Sequence, residues 1–276
     1  MPNFVVIGAP RAGTTTLASY LSDHPDVFVA PGKEVRYFTD NWSRGLGWYR
    51  SKFAAAGNRR RIGEASPQYM NDRAAMARLA TVLPRADLIA VLRNPVDRAN
   101  SHFHYRAARG LEARTLVEAL HEELDGHEGA YPYLAMGEYH RQLIALDDVA
   151  PGHGRLILWF DDLARDLPGL LRTVAGFLGI PDSWDDRDDV RVVNSADRFR
   201  SLTVRRWQSR APRGVRAAIG HLNRVQATYP PPEPRLHDLM LDRLRSDIVS
   251  LQQYTGRDLS AWLARPITRP ARDAQR

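Results

Sequence analysis

The chain has 276 residues, long for one small domain and short for two large ones, so one α/β domain spanning 1–276 is the expectation. Its composition, 43% hydrophobic and 26% charged, is that of an ordinary globule, and the absence of cysteine excludes disulfides, thiolate metal sites and cysteine nucleophiles. The formal charge of +7 rests almost wholly on arginine, since Lys33 and Lys52 are the only lysines; such an excess suits an anionic ligand, a nucleic acid, or simply an arginine-rich genome.

Phe4-Val5-Val6-Ile7 is an apolar run that ends in a glycine-containing turn, the pattern of a buried parallel strand. No charged and apolar leader precedes it, and no stretch approaches the roughly 18–20 apolar residues of a membrane span, which predicts a soluble, cytoplasmic protein without a membrane span. Residues 14–21 read as a helix with Leu17, Tyr20 and Leu21 on one face. Residues 30–40, broken by Pro31-Gly32, read as a functional connection. A short strand over 61–64 ends at Ser66-Pro67, and a helix over 71–83 takes Asn71 as its N-cap.

A second buried strand covers 86–92, and Pro95 opens a helix that runs to about 109. Further helices fall at 115–124 and 139–146, a strand at 156–160, and a helix at 167–178 that stops on Gly179-Ile180-Pro181. Residues 182–189 are acidic and loop-like, 205–216 are basic, Tyr229-Pro230-Pro231-Pro232 is a rigid break, 239–254 is a last helix, and the tail from about 266 is frayed. Strands alternating with helices predict an α/β, P-loop-like three-layer fold: a central, mainly parallel sheet of about five strands flanked by helices.

The spacing Gly8-x4-Gly13-Thr14-Thr15 is that of a phosphate-binding loop. Glycines let successive N–H groups turn inward, and the following helix adds the positive end of its dipole. The cradle would comprise Arg11, Ala12, Gly13, Thr14, Thr15 and Thr16. Thr14 stands where a nucleoside triphosphatase has lysine, and Leu92 is followed by Arg93 instead of a metal-binding aspartate. Both features disfavour the kinase alternative and suit a donor that needs no metal. A non-catalytic nucleotide or nucleic-acid binder is the remaining alternative, motivated by Arg11 and the basic run over 205–216; no nucleic-acid partner is expected if transfer occurs.

Three segments in order resemble the PAPS-dependent sulfotransferases, whose donor is 3′-phosphoadenosine 5′-phosphosulfate. Residues 7–17 resemble their 5′-phosphosulfate loop. Residues 91–101 resemble their 3′-phosphate motif, with Arg93 and Ser101 at its two clamping positions. Residues 158–163, followed by Asp166, Pro168 and the helix to Pro181, resemble the third landmark. The resemblance implies PAPS as co-substrate, adenosine 3′,5′-bisphosphate as product, and no metal. Lys33-Glu34-Val35-Arg36-Tyr37-Phe38 resembles a segment of the heparan-type branch that carries the general base, which assigns that role to Glu34, with His102 and His104 as alternatives.

Arg11 departs from the lysine of better-known members; it can stabilise the leaving phosphate but scarcely protonate it, so Lys33 stays open as the acid. The resemblance further implies a loop over the nucleotide near 194–202, from which Arg198 or Arg200, with Arg200 preferred, would reach the 3′-phosphate. Residues 64–69 resemble a segment lining the acceptor cleft, so Arg36, Tyr69 and His102 are the acceptor-side candidates. The acceptor itself, a small molecule, glycolipid or carbohydrate, and the oligomeric state are not legible.

Overall fold

The computed structural model describes residues 1–184, 198–199, 224–225 and 229–264. Arg200, the basic run over 205–216 and the tail beyond 266 lie outside these residues.

Five parallel strands form the central sheet in the order β2-β3-β1-β4-β5. They are β1 (Phe4–Gly8), β2 (Val27–Val29), β3 (Arg61–Ala65), β4 (Asp87–Leu92) and β5 (Arg155–Trp159). β1 lies in the middle, paired with β3 through Val5↔Glu64 and with β4 through Val5↔Leu88. It is buried along its whole length because helices cover both faces, which is why its sequence is continuously apolar instead of alternating. From β1 the chain crosses to the edge at β2, steps back to β3 beside β1, then passes to the other side to add β4 and β5. The reversal at β1 opens a crevice at the carboxyl ends of β1 and β4, where sheets of this kind bind ligands. The expected fold class is the one observed.

β2 and the helix α2 (Gly45–Ser51) have no counterpart among the expected elements. The first is too short to show a period, and the second contains two of its seven residues as glycine. α1 (Thr14–Asp23) follows the loop after β1, and α3 (Arg73–Val82) follows β3. Asp72, not Asn71, caps α3, its carboxylate accepting from the Ala75 amide at 2.9 Å, because Asn71 is taken up in a 3-10 turn over Tyr69–Asn71. α4 (Pro95–Ala107) is capped by Asn94 with Pro95 in the first turn.

α5 (Leu116–Leu124) carries a capping box between Thr115 and Glu118. α6 (Tyr139–Val149) precedes β5, and α7 (Phe160–Arg165) and α8 (Leu167–Leu178) follow it. α9 (Pro234–Thr255) starts at Pro234, ahead of the predicted 239, and packs Met240, Leu244, Ile248 and Leu251 inward; α10 (Ser260–Leu263) ends the described chain. A separate antiparallel pair, β6 (Arg198–Phe199) and β7 (Arg224–Val225), stands apart from the main sheet. Among the described residues no helix is long and apolar enough to cross a membrane.

Candidate active site

The loop between β1 and α1 is shaped by two close approaches. A side chain on Gly8 would meet Met70 Sδ at 2.6 Å, and Gly13 sits at φ +93 with a ring carbon of Phe160 at 3.1 Å from any added Cβ. The loop therefore runs close over β1 and delivers Thr14, Thr15 and Thr16 to the first turn of α1, where backbone N–H groups have no helical partner. Arg11, at φ 69, turns its side chain towards α4: Nε and Nη2 both donate to Ser101 Oγ at 3.3 Å, and the guanidinium lies 4.4 Å from the Tyr105 ring centroid.

β4 and α4 supply the facing wall. Arg93, one residue beyond the strand, donates from Nη1 to the Arg11 carbonyl at 3.2 Å and stacks its guanidinium 4.6 Å from the Phe160 ring centroid. Arg11, Arg93 and Ser101 thus meet across the crevice between β1 and β4. Deeper in α4, Arg98 is wholly buried and its Nη1 lies 3.3 Å from His102 Nδ1. A guanidinium can only donate, so Nδ1 accepts and the neutral imidazole keeps its proton on Nε2. That proton points at the Tyr131 hydroxyl, 3.1 Å away. Burial, then Arg98 and Arg11, push His102 down to about 2, so it stays neutral at any working pH. His104 instead stacks on Tyr229, with ring centroids 4.8 Å apart.

The connection over 33–36 closes the mouth of the loop as a strap. Lys33 Nζ donates to Thr15 Oγ1 at 2.9 Å and pairs with Glu34 Oε1 at 3.1 Å. Gln68 Nε2 holds the other Glu34 oxygen at 3.1 Å. Glu34 is thereby fixed beside the first turn of α1 with lone pairs to spare. Arg36 lies on the rim, where it pairs with Asp40 at 2.8 Å. A cleft of about 200 Å³ joins these groups, with Arg11 and Thr15 at its floor, Glu34 and Gln68 on one side, and Tyr105 and Tyr131 on the other.

Tyr69 does not line this cleft. It is fully buried, and its hydroxyl donates to Glu64 Oε1 at 3.2 Å beneath the strap. Of residues 64–69, Pro67 and Gln68 line this cleft, whereas Glu64, Ala65, Ser66 and Tyr69 are all buried. Tyr105, Arg109 and Tyr131 are cleft residues that sequence patterns do not reveal. Tyr131 follows a loop without any motif, and the remaining residues are ordinary surface types until the fold brings them together.

The electrostatics point one way. Burial pushes Arg11 down to about 10, helped by Arg93 and Arg109, and lowers Lys33, helped by Arg11. Burial lowers Arg93 as well. Each of the three shifts would be relieved by an anion placed among these groups.

An open parallel sheet with a glycine-shaped anion cradle at its central strand and a second arginine at the neighbouring strand end defines a class: α/β proteins that hold a phosphorylated ligand at a topological switch point. Within that class, the sulfotransferase domain model matches residues 1–210, and the chain belongs to that family.

The membrane-associated sulfotransferase kil1 of Dictyostelium discoideum is 41% identical over 108 residues, which is 38% of this chain and 23% of that protein. Heparan sulfate glucosamine 3-O-sulfotransferase 6 of Homo sapiens is 30% identical over 181 residues, 65% of this chain and 52% of that protein. The match thus spans about a quarter to about half of these curated relatives. The solved sulfotransferase from Alicyclobacillus acidocaldarius superposes with a TM-score of 0.74 at 26% identity, covering 96% of this chain and 99% of that one. A mouse sulfotransferase complexed with PAP shares the fold, with a TM-score of 0.52 at 18% identity over 92% of this chain and 88% of that one.

Proposed function

We propose that the protein transfers the sulfuryl group of PAPS to a hydroxyl or amine of a small-molecule, glycolipid or carbohydrate acceptor. The observation that carries this is the convergence of Arg11, Lys33 and Arg93 on one loop mouth, where burial and mutual repulsion favour a bound anion. PAPS has anionic groups at both ends of its ribose, and the crevice offers two matching positions. The N–H groups over 12–16, with Arg11 and the hydroxyls of Thr14, Thr15 and Thr16, take the 5′-phosphosulfate. Arg93 and Ser101 take the 3′-phosphate.

In this scheme Glu34 accepts the acceptor proton as the acceptor oxygen or nitrogen forms its bond to sulfur. The bond between sulfur and the 5′-phosphate oxygen breaks on the far side, and adenosine 3′,5′-bisphosphate leaves. Arg11 neutralises the charge that develops on the leaving phosphate, and Lys33, bridging Thr15 and Glu34, is the group with a proton to give it. The cations of the chain fill the role a metal would have, so the scheme uses none. Glu34 is preferred to His102 as base because the His102 ring faces Arg98 through Nδ1 and Tyr131 through Nε2. The named activities of the heparan sulfate relatives make amino-sugar-containing oligosaccharides the first acceptors to try.

Calorimetry with adenosine 3′,5′-bisphosphate tests donor binding. Loss of one charged hydrogen-bonding partner should weaken the Arg93→Ala variant about 10- to 100-fold. Unchanged affinity would remove the 3′-phosphate assignment. Glu34→Gln should bind the nucleotide within about threefold of the wild type, yet turn over labelled PAPS about 10²- to 10⁴-fold more slowly with any acceptor found by screening. Wild-type turnover in that variant would move the base elsewhere.

A further inference from the structure

Glu64 is a carboxylate sealed under the strap, with no exposed surface, on the strand next to β1. Burying a charge there is costly, and an apolar side chain would fill the volume. What the site needs is an acceptor. The Val35 amide donates directly to Glu64 Oε2 at 3.2 Å. The Arg36 amide donates to Ser66 Oγ at 3.0 Å, and that hydroxyl donates onward to Glu64 Oε2 at 2.6 Å. The Phe38 amide reaches Tyr69 Oη at 3.5 Å, and Tyr69 donates to Glu64. An N–H can only donate, so each hydroxyl accepts from the strap and has its own proton free for the carboxylate. Tyr49 adds a further donor at 2.7 Å.

Three backbone amides of the strap therefore end, directly or through one hydroxyl, on a single anion. They need that hold. Lys33 at φ 65 and Arg36 at φ 53 lie in the left-handed region that side-chain-bearing residues seldom occupy. On the carbonyl side the Lys33 oxygen accepts from the Ala65 amide of β3 at 3.1 Å, the Val35 oxygen from Asn41 Nδ2 at 3.0 Å and the Phe38 oxygen from Arg78 Nη1 at 2.8 Å, so the amides are the side that Glu64 holds.

We infer that Glu64 is a positioning residue: it fixes the backbone over 33–38 and, through it, the places of Lys33 and Glu34 at the loop mouth. The catalytic part of this rests on Glu34 being the base; the mechanical part does not. Burial raises the Glu64 pKa, while hydrogen bonds from Ser66, Tyr49, Tyr69 and the Val35 amide pull it back down. Glutamine there would keep the shape but exchange one acceptor oxygen for an NH2 group, which either faces the Val35 amide, a pure donor, or forces the Tyr49 and Tyr69 hydroxyls to turn their protons away.

Amide hydrogen exchange read by mass spectrometry tests the hold without any substrate. In Glu64→Gln the peptide over 30–40 should exchange at least about tenfold faster, and in Ser66→Ala about threefold faster, while peptides from β1 and β4 keep wild-type protection. Affinity for adenosine 3′,5′-bisphosphate should fall less than turnover, since the 12–16 loop, Arg93 and Ser101 lie on other elements and Lys33 alone among the proposed anion-holding groups belongs to the strap. PAPS turnover in Glu64→Gln should fall about 10- to 100-fold in kcat with KM for PAPS unchanged, and adding Glu64→Gln to Glu34→Gln should slow it no further. Wild-type exchange over 33–38, or an equal loss of protection across the whole sheet, in a folded Glu64→Gln protein would overturn the inference. If that variant does not fold, Ser66→Ala decides alone, by whether faster exchange is confined to the strap. A wild-type protein that fails to bind the nucleotide would sink the sulfotransferase proposal and leave the exchange result standing.

Discussion

A guanidinium has five donors and no lone pair, and that fact, applied to the buried Arg98, reaches as far as the cleft. It makes His102 Nδ1 an acceptor, leaves the imidazole proton on Nε2, and so makes Tyr131 Oη an acceptor of that proton. The Tyr131 hydroxyl must then send its own proton elsewhere, and the cleft it borders is beside it. His102 supports the cleft without titrating. Its folded pKa of about 2 lies below the ordinary 6.5, so the neutral form is the one that folding favours, and no charge change occurs between them at working pH. His102→Asn should therefore lower turnover while leaving the shape of the pH–turnover curve unchanged from about pH 5 to pH 9. Disappearance of an acid limb near pH 6.5 in that variant would show that the imidazole titrates in the wild type and that the proton assignment is wrong.

At the scale of elements, what the sequence displays depends on how local the cause is. The β1 strand, its loop and α1 are contiguous, so glycine spacing, threonines and the apolar run announce them together. β4 with Asn94, Pro95 and α4 is equally local: strand, cap and first turn follow one another over residues 87–98. Glu34 stands out only through resemblance, because a carboxylate in a polar connection has no signature of its own. Tyr69 shows the opposite error. Its neighbours Pro67 and Gln68 do face the cleft, but the tyrosine is drawn inward by Glu64, whose other aromatic partner, Tyr49, comes from the glycine-rich α2. Two glycines in a seven-residue helix defeat any propensity argument, and the helix forms because Tyr49 stacks on Tyr37 at 4.4 Å and packs edge-on against Phe38 at 5.3 Å. Tertiary packing decides that element, and with it the floor of the strap.

At the scale of the molecule, the site is assembled from both sides of the chain reversal. The cradle belongs to β1, the strap leans on β3, and Arg93 and Ser101 belong to β4 and α4. Behind them α9 packs against α4 and α6, with Leu244 buried and Asp247 capping α6 through the His140 and Arg141 amides at 3.0 Å. A nucleotide with phosphates at both ends of its ribose would touch each half, so unfolding of either half would release it. Such a ligand stabilises the whole fold by mass action, by about 2.7 kcal/mol at one hundred times its Kd. For a domain of this size that is a rise in Tm of about 5 °C. Adenosine 3′,5′-bisphosphate should produce this rise in the wild type. Inorganic sulfate at the same concentration, which can occupy only one position, should produce much less. In Arg93→Ala the nucleotide shift should shrink towards that of sulfate, because one of the two anchor points is gone. Equal shifts from sulfate and nucleotide in the wild type would mean that the crevice holds a lone anion, and the link between the two halves through the donor would have to be abandoned.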